Sequence, residues 1–577
     1  MIVKKKVMKK LMILFVISLL SISLNGLFSV HALRDGGNAN HLMGIPTRKG
    51  EYATGGTGGE YPDEAEMEWL SKFKIVHAGN IEEPLLPDDM AYLRQNGVKI
   101  IMADDWLPAG YYYPDGNNTP FMEWVYENRY EVTLNPDGPF PHCEENGYDW
   151  REYYFDFARD EMVNHRVGYI VNGLKSAGYD GIFFDWGNGL FLEEEGYETI
   201  NATYNSRHPG IPYSQAAANF LAELRDAYPG LVMENNQGFR EAEYYLPVLD
   251  YDMTESYVTS DGYYGKKLYV EGYGLTEVPQ TVYYPVSDSE FTGSLNDTLY
   301  YLNYLAELRN EYGGEHFKKT VYMNYAAPEF VFAGRENGHD VYRPAIPKNA
   351  IYFGYAVAKL VNQISYTEVP WNHTCERCDV YFYDLGEPLG SNYEKVDGGY
   401  VRYYSNGFVV AGEWKNEADI TLHLSYILSN SDVYDALEGK WIKTGNGEVT
   451  IAIKPEMDNL TGRASPSGRV FIYPENESLQ VRITRPEAGK LYLMDREIMA
   501  VGGNKTIAIG GITIEANTNG DKVEFYVDDK LRFTDEEAPY SWTWNELAAG
   551  MHEIKVVAYD DKGNEVKDEV TVIIFNI

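Results

Sequence analysis

Cysteine is nearly missing from this chain: Cys143, Cys375 and Cys378 are the whole complement in 577 residues. Three thiols exclude a disulfide framework as the source of stability. They also fall short of structural zinc: Cys375-Glu-Arg-Cys378, with His373 nearby, has no second pair to complete four ligands. A local Cys375–Cys378 disulfide is the expected use, leaving Cys143 free. Histidine is scarce too, at 11, and no Gly-x-Ser-x-Gly elbow occurs, so no Ser–His–Asp triad is indicated. Positive charge is short: 49 Lys and Arg stand against 87 Asp and Glu, for a net charge of −38. Such a balance disfavours nucleic acid and anionic membrane surfaces. No glycine fingerprint for a dinucleotide follows the first strand. Past the N-terminus no apolar run is long enough to span a membrane.

What is present begins with a secretory pattern. Lys4, Lys5, Lys6, Lys9 and Lys10 precede an apolar stretch from Leu11 to Leu24, and Val30-His-Ala32 offers small residues for cleavage after Ala32. An uncleaved anchor is the alternative. The expected location is outside the cell or at its surface. Tyrosine is in excess, at 50 with 10 tryptophans. Flat amphipathic rings suit carbohydrate stacking, and they also suit exposed β-sheets.

A strand–helix alternation runs through residues 71–390, after a signal peptide over 1–32 and a Gly/Asn/Thr-rich arm over 33–70. Strands are expected at 73–78, 98–103, 153–157, 182–184, 230–236, 249–257, 320–325 and 364–368, with helices between most of them. Alternation of this kind implies a parallel sheet with right-handed crossovers, and eight units fit a closed (β/α)8 barrel. The fold class is therefore α/β, a TIM barrel. An antiparallel β-sandwich follows over 391–485, where Ser405-Asn-Gly407 marks a hairpin. An immunoglobulin-like sandwich closes the chain over 486–577; residues 522–531 alternate strictly about Asp528-Asp529.

The chemistry is expected at the C-terminal ends of the barrel strands. Gly178-Tyr-Asp-Gly-Ile-Phe-Phe-Asp-Trp-Gly187 is the central stretch: a turn, a short apolar strand, then Asp185 with Trp186 beside it. A carboxylate there could simply cap the next helix. Acids from several strands change the weighing, because like charges gathered on one face repel and raise each other's proton affinity. They are Asp104 and Asp105, Asp156, Asp185, Glu234, and Asp252 with Glu255. Glycoside hydrolysis needs one protonated and one ionised carboxyl. Asp185 as nucleophile and Glu255 as acid/base, two strands apart, fit that need. Glu234 is the rival acid, and Asp104 or Asp105 the rival base. Trp106, Trp186, Asn235, Tyr257 and Asn324 are expected to line the sugar, with Asp104, Asp105, Asp156 and Glu234. A hard cation would also take oxygen ligands, but no metal and no cofactor is expected; His77 reads as a core or rim histidine.

The residues Val98 to Trp106, Gly178 to Asp185 and Glu255 resemble a group of secreted TIM-barrel glycoside-hydrolase-like proteins. That group includes the hypothetical glycosyl hydrolase family 15 and, more distantly, glycoside hydrolase family 114, the endo-α-1,4-polygalactosaminidases. The resemblance covers about residues 70–390. It implies an Asp after the fourth strand and a Glu on the sixth as the catalytic pair, which here are Asp185 and Glu255. A long tryptophan-bearing insertion between the second and third expected strands departs from the pattern and leaves the substrate open. The segment 522–560, with Ala538-Pro-Tyr-Ser-Trp-Thr-Trp544, is similar to bacterial Ig-like domains. The leading reading is a secreted, retaining hydrolase of an α-linked polysaccharide or its oligosaccharides. The alternatives are a non-catalytic glycan-binding surface or envelope protein, and a metal-dependent polysaccharide deacetylase.

Overall fold

The structure is a computed structural model. It describes residues 45–576 except 56–61, 82, 105, 115, 117, 138–150, 186, 194–195, 256, 284–294, 370–377, 413–417, 424–431, 445–447, 454–455, 458–463, 466, 475–478, 502–505, 519 and 561–564. The proposed signal segment, Cys143, Cys375 and His373 lie outside the described residues; Cys378 is buried. The described chain divides into two units. One holds Lys49–Pro347 and Gln363–Tyr381; the other holds residues 45–48, Lys348–Asn362 and 382–576.

The first unit is built on an eight-stranded parallel sheet. Its strands, in order, are Gly50–Thr54, Phe73–Asn80, Lys99–Asp104, Gly181–Phe184, Val232–Asn236, Tyr251–Glu255, Lys319–Tyr325 and Ile364–Glu368. The last strand returns to the first. The Tyr366 hydroxyl donates to the Thr54 carbonyl at 3.4 Å, and the Tyr52 and Tyr366 rings meet edge to face. This is a nearly closed (β/α)8 barrel. Its strands are almost wholly buried, as parallel strands covered on both faces must be. Helix Asp160–Ala177 shows how local signals set the register. Gly178 takes the left-handed conformation (φ 84°) that stops the helix, and its N–H caps Leu174. The Asp180 carboxylate then accepts from the Ile100 amide at 3.0 Å, and the fourth strand enters the sheet beside the third.

Two strand expectations are corrected, and the errors cancel. Residues 153–157 are no barrel strand: Arg151–Tyr154 pairs antiparallel with Ala109–Tyr112 inside the insertion. The aromatic run looked like a buried barrel strand because it is buried, but against the insertion's own rings; Tyr112 stacks on Tyr126 at 4.1 Å. The true first strand, Gly50–Thr54, lies in the arm read as a linker. It is short and begins with a glycine, and it pairs with Phe73–Asn80 in the register Tyr52↔Ile75. Asp185 thus still follows the fourth strand. The loops after the sixth and seventh strands also carry long hairpins, Thr259–Val270 with Gly274–Tyr283 and Glu329–Glu336 with His339–Ala345, that join in one four-stranded sheet.

In the second unit, the hairpin expected at Ser405-Asn-Gly407 joins Gly399–Tyr404 to Gly407–Gly412 within a six-stranded antiparallel sheet. Beyond it, a three-stranded and a seven-stranded sheet enclose Val481, Ile512, Phe525, Trp544, Val556 and Ile574 in an Ig-like core.

Candidate active site

Five successive barrel strands end in polar residues at one rim. Asp185 follows the fourth strand; Asn236, Glu255, Tyr325 and Glu368 are the last residues of the fifth to eighth. Asn236 ties the first two acids together. Its Nδ2 donates to Asp185 Oδ1 at 2.8 Å and to Glu255 Oε2 at 2.8 Å. Two oxygens held on one nitrogen at those distances are no more than twice 2.8 Å apart. With the two N–H bonds of a planar amide diverging by about 120°, the separation is about 5 Å. On its other oxygen, Glu255 accepts from the Tyr325 hydroxyl.

The electrostatics follow from enclosure. Glu255 keeps part of its surface open, yet protein surrounds it closely enough that desolvation raises its pKa above the ordinary carboxylate range; the Tyr325 and Asn236 hydrogen bonds oppose the rise. Desolvation pushes the Tyr325 phenol up as well, and the charges of Glu255, Glu368 and Asp185 add to it. Glu368 thereby counts as a third acid at the rim; the Thr54 hydroxyl donates to it at 3.5 Å. Below them, Glu234 is fully buried and its pKa is pushed up to about 8, first by desolvation and then by the charge of Asp252, against the Tyr52 hydroxyl beside it.

The backbone around Asp185 is pinned from two sides. The Leu107 amide donates to the Asp185 carbonyl at 3.0 Å. Two residues on, the Gly187 amide donates to the Asn236 carbonyl at 3.1 Å, and Asn235 Nδ2 donates to the Gly187 carbonyl at 2.5 Å. No side chain fits at Gly187: a Cβ there would lie 1.2 Å from Asn235 Oδ1.

The expected sugar-lining set divides on this geometry. Asp185 and Glu255 are brought together, and Asp104 ends the third strand. Asp105 and Trp186 lie outside the described residues. Trp106 is half-buried; its carbonyl accepts from Arg166, and its ring meets Tyr111 edge to face. Four residues do other work. Asp156 is buried with Arg207 at 3.3 Å and Arg159 at 3.8 Å, and His208 Nε2 lies 2.8 and 2.9 Å from its two oxygens. Asn235 fastens the Gly187 turn. Asn324 is buried and accepts from the Val258 and Thr259 amides, so it shapes the loop after Glu255. Tyr257 is buried against Tyr322. Glu234 is sealed from solvent and cannot reach a substrate in this state. His77 sits in the core against Phe183, neutral because burial lowers its pKa to about 4. Among the described residues no group of three or more His, Cys, Asp and Glu is placed to hold a metal ion. Asn236, Tyr325 and Glu368 were missed. The signal was available, since each closes a strand near the rim where Asp185 stands, but Asn236 and Tyr325 carry no charge to draw notice and Glu368 closes the last strand, far in sequence from the other acids.

Residues 480–556 match the bacterial Ig domain family. No curated protein matches the chain. Several solved glycoside hydrolases are structural neighbours. The glycoside hydrolase domain of PelA from Pseudomonas aeruginosa is 17% identical, covering 56% of this chain and 94% of that one, with a TM-score of 0.31. An α-amylase from Geobacillus thermoleovorans, solved with acarbose, is 11% identical over 74% of this chain and 99% of its own, with a TM-score of 0.39. The fibronectin(III)-like modules of CbhA from Clostridium thermocellum are 28% identical over 17% of this chain and 96% of theirs, at a TM-score of 0.13. All three scores lie below 0.5, so the chemistry of the site is read from its own residues.

Proposed function

We propose that the chain is a retaining glycoside hydrolase that acts outside the cell on a polysaccharide. The observation that carries this is the single Asn236 nitrogen bonded to both Asp185 and Glu255. Retention needs the two carboxyls about 5–5.5 Å apart, whereas inversion needs about 6.5–9.5 Å to admit a water. The spacing imposed by one shared nitrogen falls in the first class. Asp185 Oδ attacks the anomeric carbon as the glycosidic C–O bond breaks, and the departing oxygen takes the proton of Glu255. Glu255, now ionised, removes a proton from water; the water oxygen bonds the same carbon and Asp185 leaves as carboxylate. The enclosure of Glu255 favours its protonated form, as an acid requires. An α linkage and a place near the hypothetical glycosyl hydrolase family 15, and more distantly glycoside hydrolase family 114, accord with the motif resemblance alone.

The test is Asp185→Asn and Glu255→Gln on a panel of polysaccharides and on an aryl glycoside with a good leaving group. Both variants should lose polysaccharide cleavage. The aryl glycoside, which needs no proton on departure, should still glycosylate Glu255→Gln, and the intermediate should be visible by mass on Asp185. Undiminished cleavage by both variants overturns the reading. Tyr325 and Asn236 both donate to Glu255, which favours a carboxylate there, so the reversed assignment has one observation on its side. It would be adopted if the aryl glycoside rescued Asp185→Asn instead.

A further inference from the structure

Glu234 and Asn236 share a puzzle. Both are buried; among the described residues neither oxygen of Glu234 nor the carboxamide oxygen of Asn236 has a partner in good hydrogen-bond geometry, although the Tyr52 hydroxyl lies close enough to Glu234 to oppose its pKa rise. Buried polar atoms are rarely left so. The two residues stand two apart on the strand Val232–Asn236, so their side chains leave the same face, with Cα atoms about 6.6 Å apart. A glutamate side chain is long enough to reach a carboxamide two residues along the same strand face. The carboxamide oxygen is an acceptor, and the carboxyl is a donor only while it keeps its proton.

We propose that Glu234 is a positioning residue: as a neutral acid it donates its O–H to Asn236 Oδ1, and so fixes that carboxamide with its NH2 turned to Asp185 and Glu255. The assignment rests on the retaining reading above. Its logic is the near-symmetry of a carboxamide. Flipped by 180°, Asn236 would present its oxygen to two carboxyls and push them apart. A donor beneath the oxygen forbids the flip. The surroundings keep Glu234 protonated. The titratable groups facing it are Tyr52 from the first strand and Tyr251 from the sixth, and the charge of Asp252 reaches it from the other face of the sixth strand; none of them is a cation, and its register neighbour on the fourth strand is Phe183. An ionised Glu234 would have no proton to give and would attract the Asn236 NH2 downward, so the clasp should open as pH rises.

The experiment compares kcat/KM for the wild type, Glu234→Gln, Glu234→Leu, Asn236→Ala and the Glu234→Leu/Asn236→Ala double variant, from about pH 5 to about pH 9, on a polysaccharide the wild type cleaves. Glu234→Leu should fall about 30-fold or more, and the double variant should be no worse than Asn236→Ala. Glu234→Gln, whose amide donates at every pH, should restore most of the loss and hold its activity at alkaline pH where the wild type declines. If Glu234→Gln is as inactive as Glu255→Gln throughout, Glu234 transfers the proton itself and the proposal fails. It also fails if Glu234→Leu matches the wild type with an unchanged alkaline limb. Infrared spectroscopy separates this outcome from failure of the hydrolase reading, since it needs no activity. A protonated carboxyl band, absent in Glu234→Gln and shifted in Asn236→Ala, supports the contact even in a chain that cleaves no glycan; absence of the band, or indifference to Asn236→Ala, overturns it.

Discussion

The sixth barrel strand carries two acids with opposite surroundings. Asp252 turns outward to helix Leu295–Tyr312, where Arg309 reaches its Oδ2 at 3.4 Å and the Thr254 hydroxyl at 3.2 Å. Glu255, on the other face of the pleat, turns inward to Tyr325 and Asn236. Desolvation raises the pKa of both, that of Asp252 to about 6 with Arg309 opposing. The fifth strand repeats the division: Asn235 faces out and fastens Gly187, while Glu234 and Asn236 face in. The lesson is that burial alone does not mark a catalytic acid. An acid answered by a buried cation is part of the scaffold, because the cation holds it ionised. An acid answered by neutral donors alone, and open in part to the barrel mouth, has no fixed countercharge to hold it ionised and can give up and regain its proton, which is what general acid catalysis requires.

The contrast can be broken by one pair of substitutions. Glu255→Gln should cost about 10²–10⁴ in kcat/KM with little change in melting temperature. Arg309→Leu should do the reverse in kind: it leaves Asp252 buried without its cation, at a cost of about 3–5 kcal/mol of stability. Urea titration and glycan turnover on both variants check this. A Glu255→Gln protein that unfolds as readily as Arg309→Leu would erase the distinction.

A smaller effect sharpens it through pH. Glu234 and Asp252 have folded-state pKa values raised above their ordinary ones, to about 8 and about 6. The stability they permit is therefore fully present below the ordinary carboxylate range, and is lost as pH rises through those two values. Between about pH 5 and about pH 8.5 the wild type should lose up to a few kcal/mol, because holding a proton tenfold more tightly in the folded chain is worth about 1.4 kcal/mol. Glu234→Gln should flatten the upper part of that slope and leave the lower part, which belongs to Asp252. An unchanged slope above pH 6 would mean that Glu234 is already ionised at neutrality.

Much of this was legible from residue order. The barrel, its sixth to eighth strands and the Asp185–Glu255 pairing follow from apolar runs closed by polar residues, because the parallel sheet buries the run and exposes the residue after it. The first strand was not legible: it is five residues long, only Tyr52 and Thr54 in it are strand formers, and a glycine-rich run follows it, so its pairing with the neighbouring strand is what identifies it. The roles of Asp156, Asp252 and Glu234 were equally hidden. A sequence shows an acid but not the Arg207, Arg309 or Tyr52 that comes to it from 51, 57 and 182 residues away. Asn236 was passed over because its importance lies in a distance, not in its type.

Gly187 offers the gentlest way to sharpen the comparison of inward and outward faces. It touches the outward face of the fifth strand, through Asn235, and carries the loop that follows Asp185. Its replacement by alanine would place a methyl 1.2 Å from Asn235 Oδ1, so the loop or the asparagine must move. Overpacking of this kind costs about 1–3 kcal/mol. If the outward face only braces the inward one, Gly187→Ala should also lower kcat on the polysaccharide about tenfold, through displacement of Asp185 relative to Glu255, with the pH profile unchanged. Adding Asn235→Ala removes the colliding atoms, and the double variant should recover part of the stability lost by Gly187→Ala. It should not recover full turnover, because the Asn235 bond to the Gly187 carbonyl goes with the side chain. A double variant less stable than Gly187→Ala alone would show that the loop is held by something other than this contact.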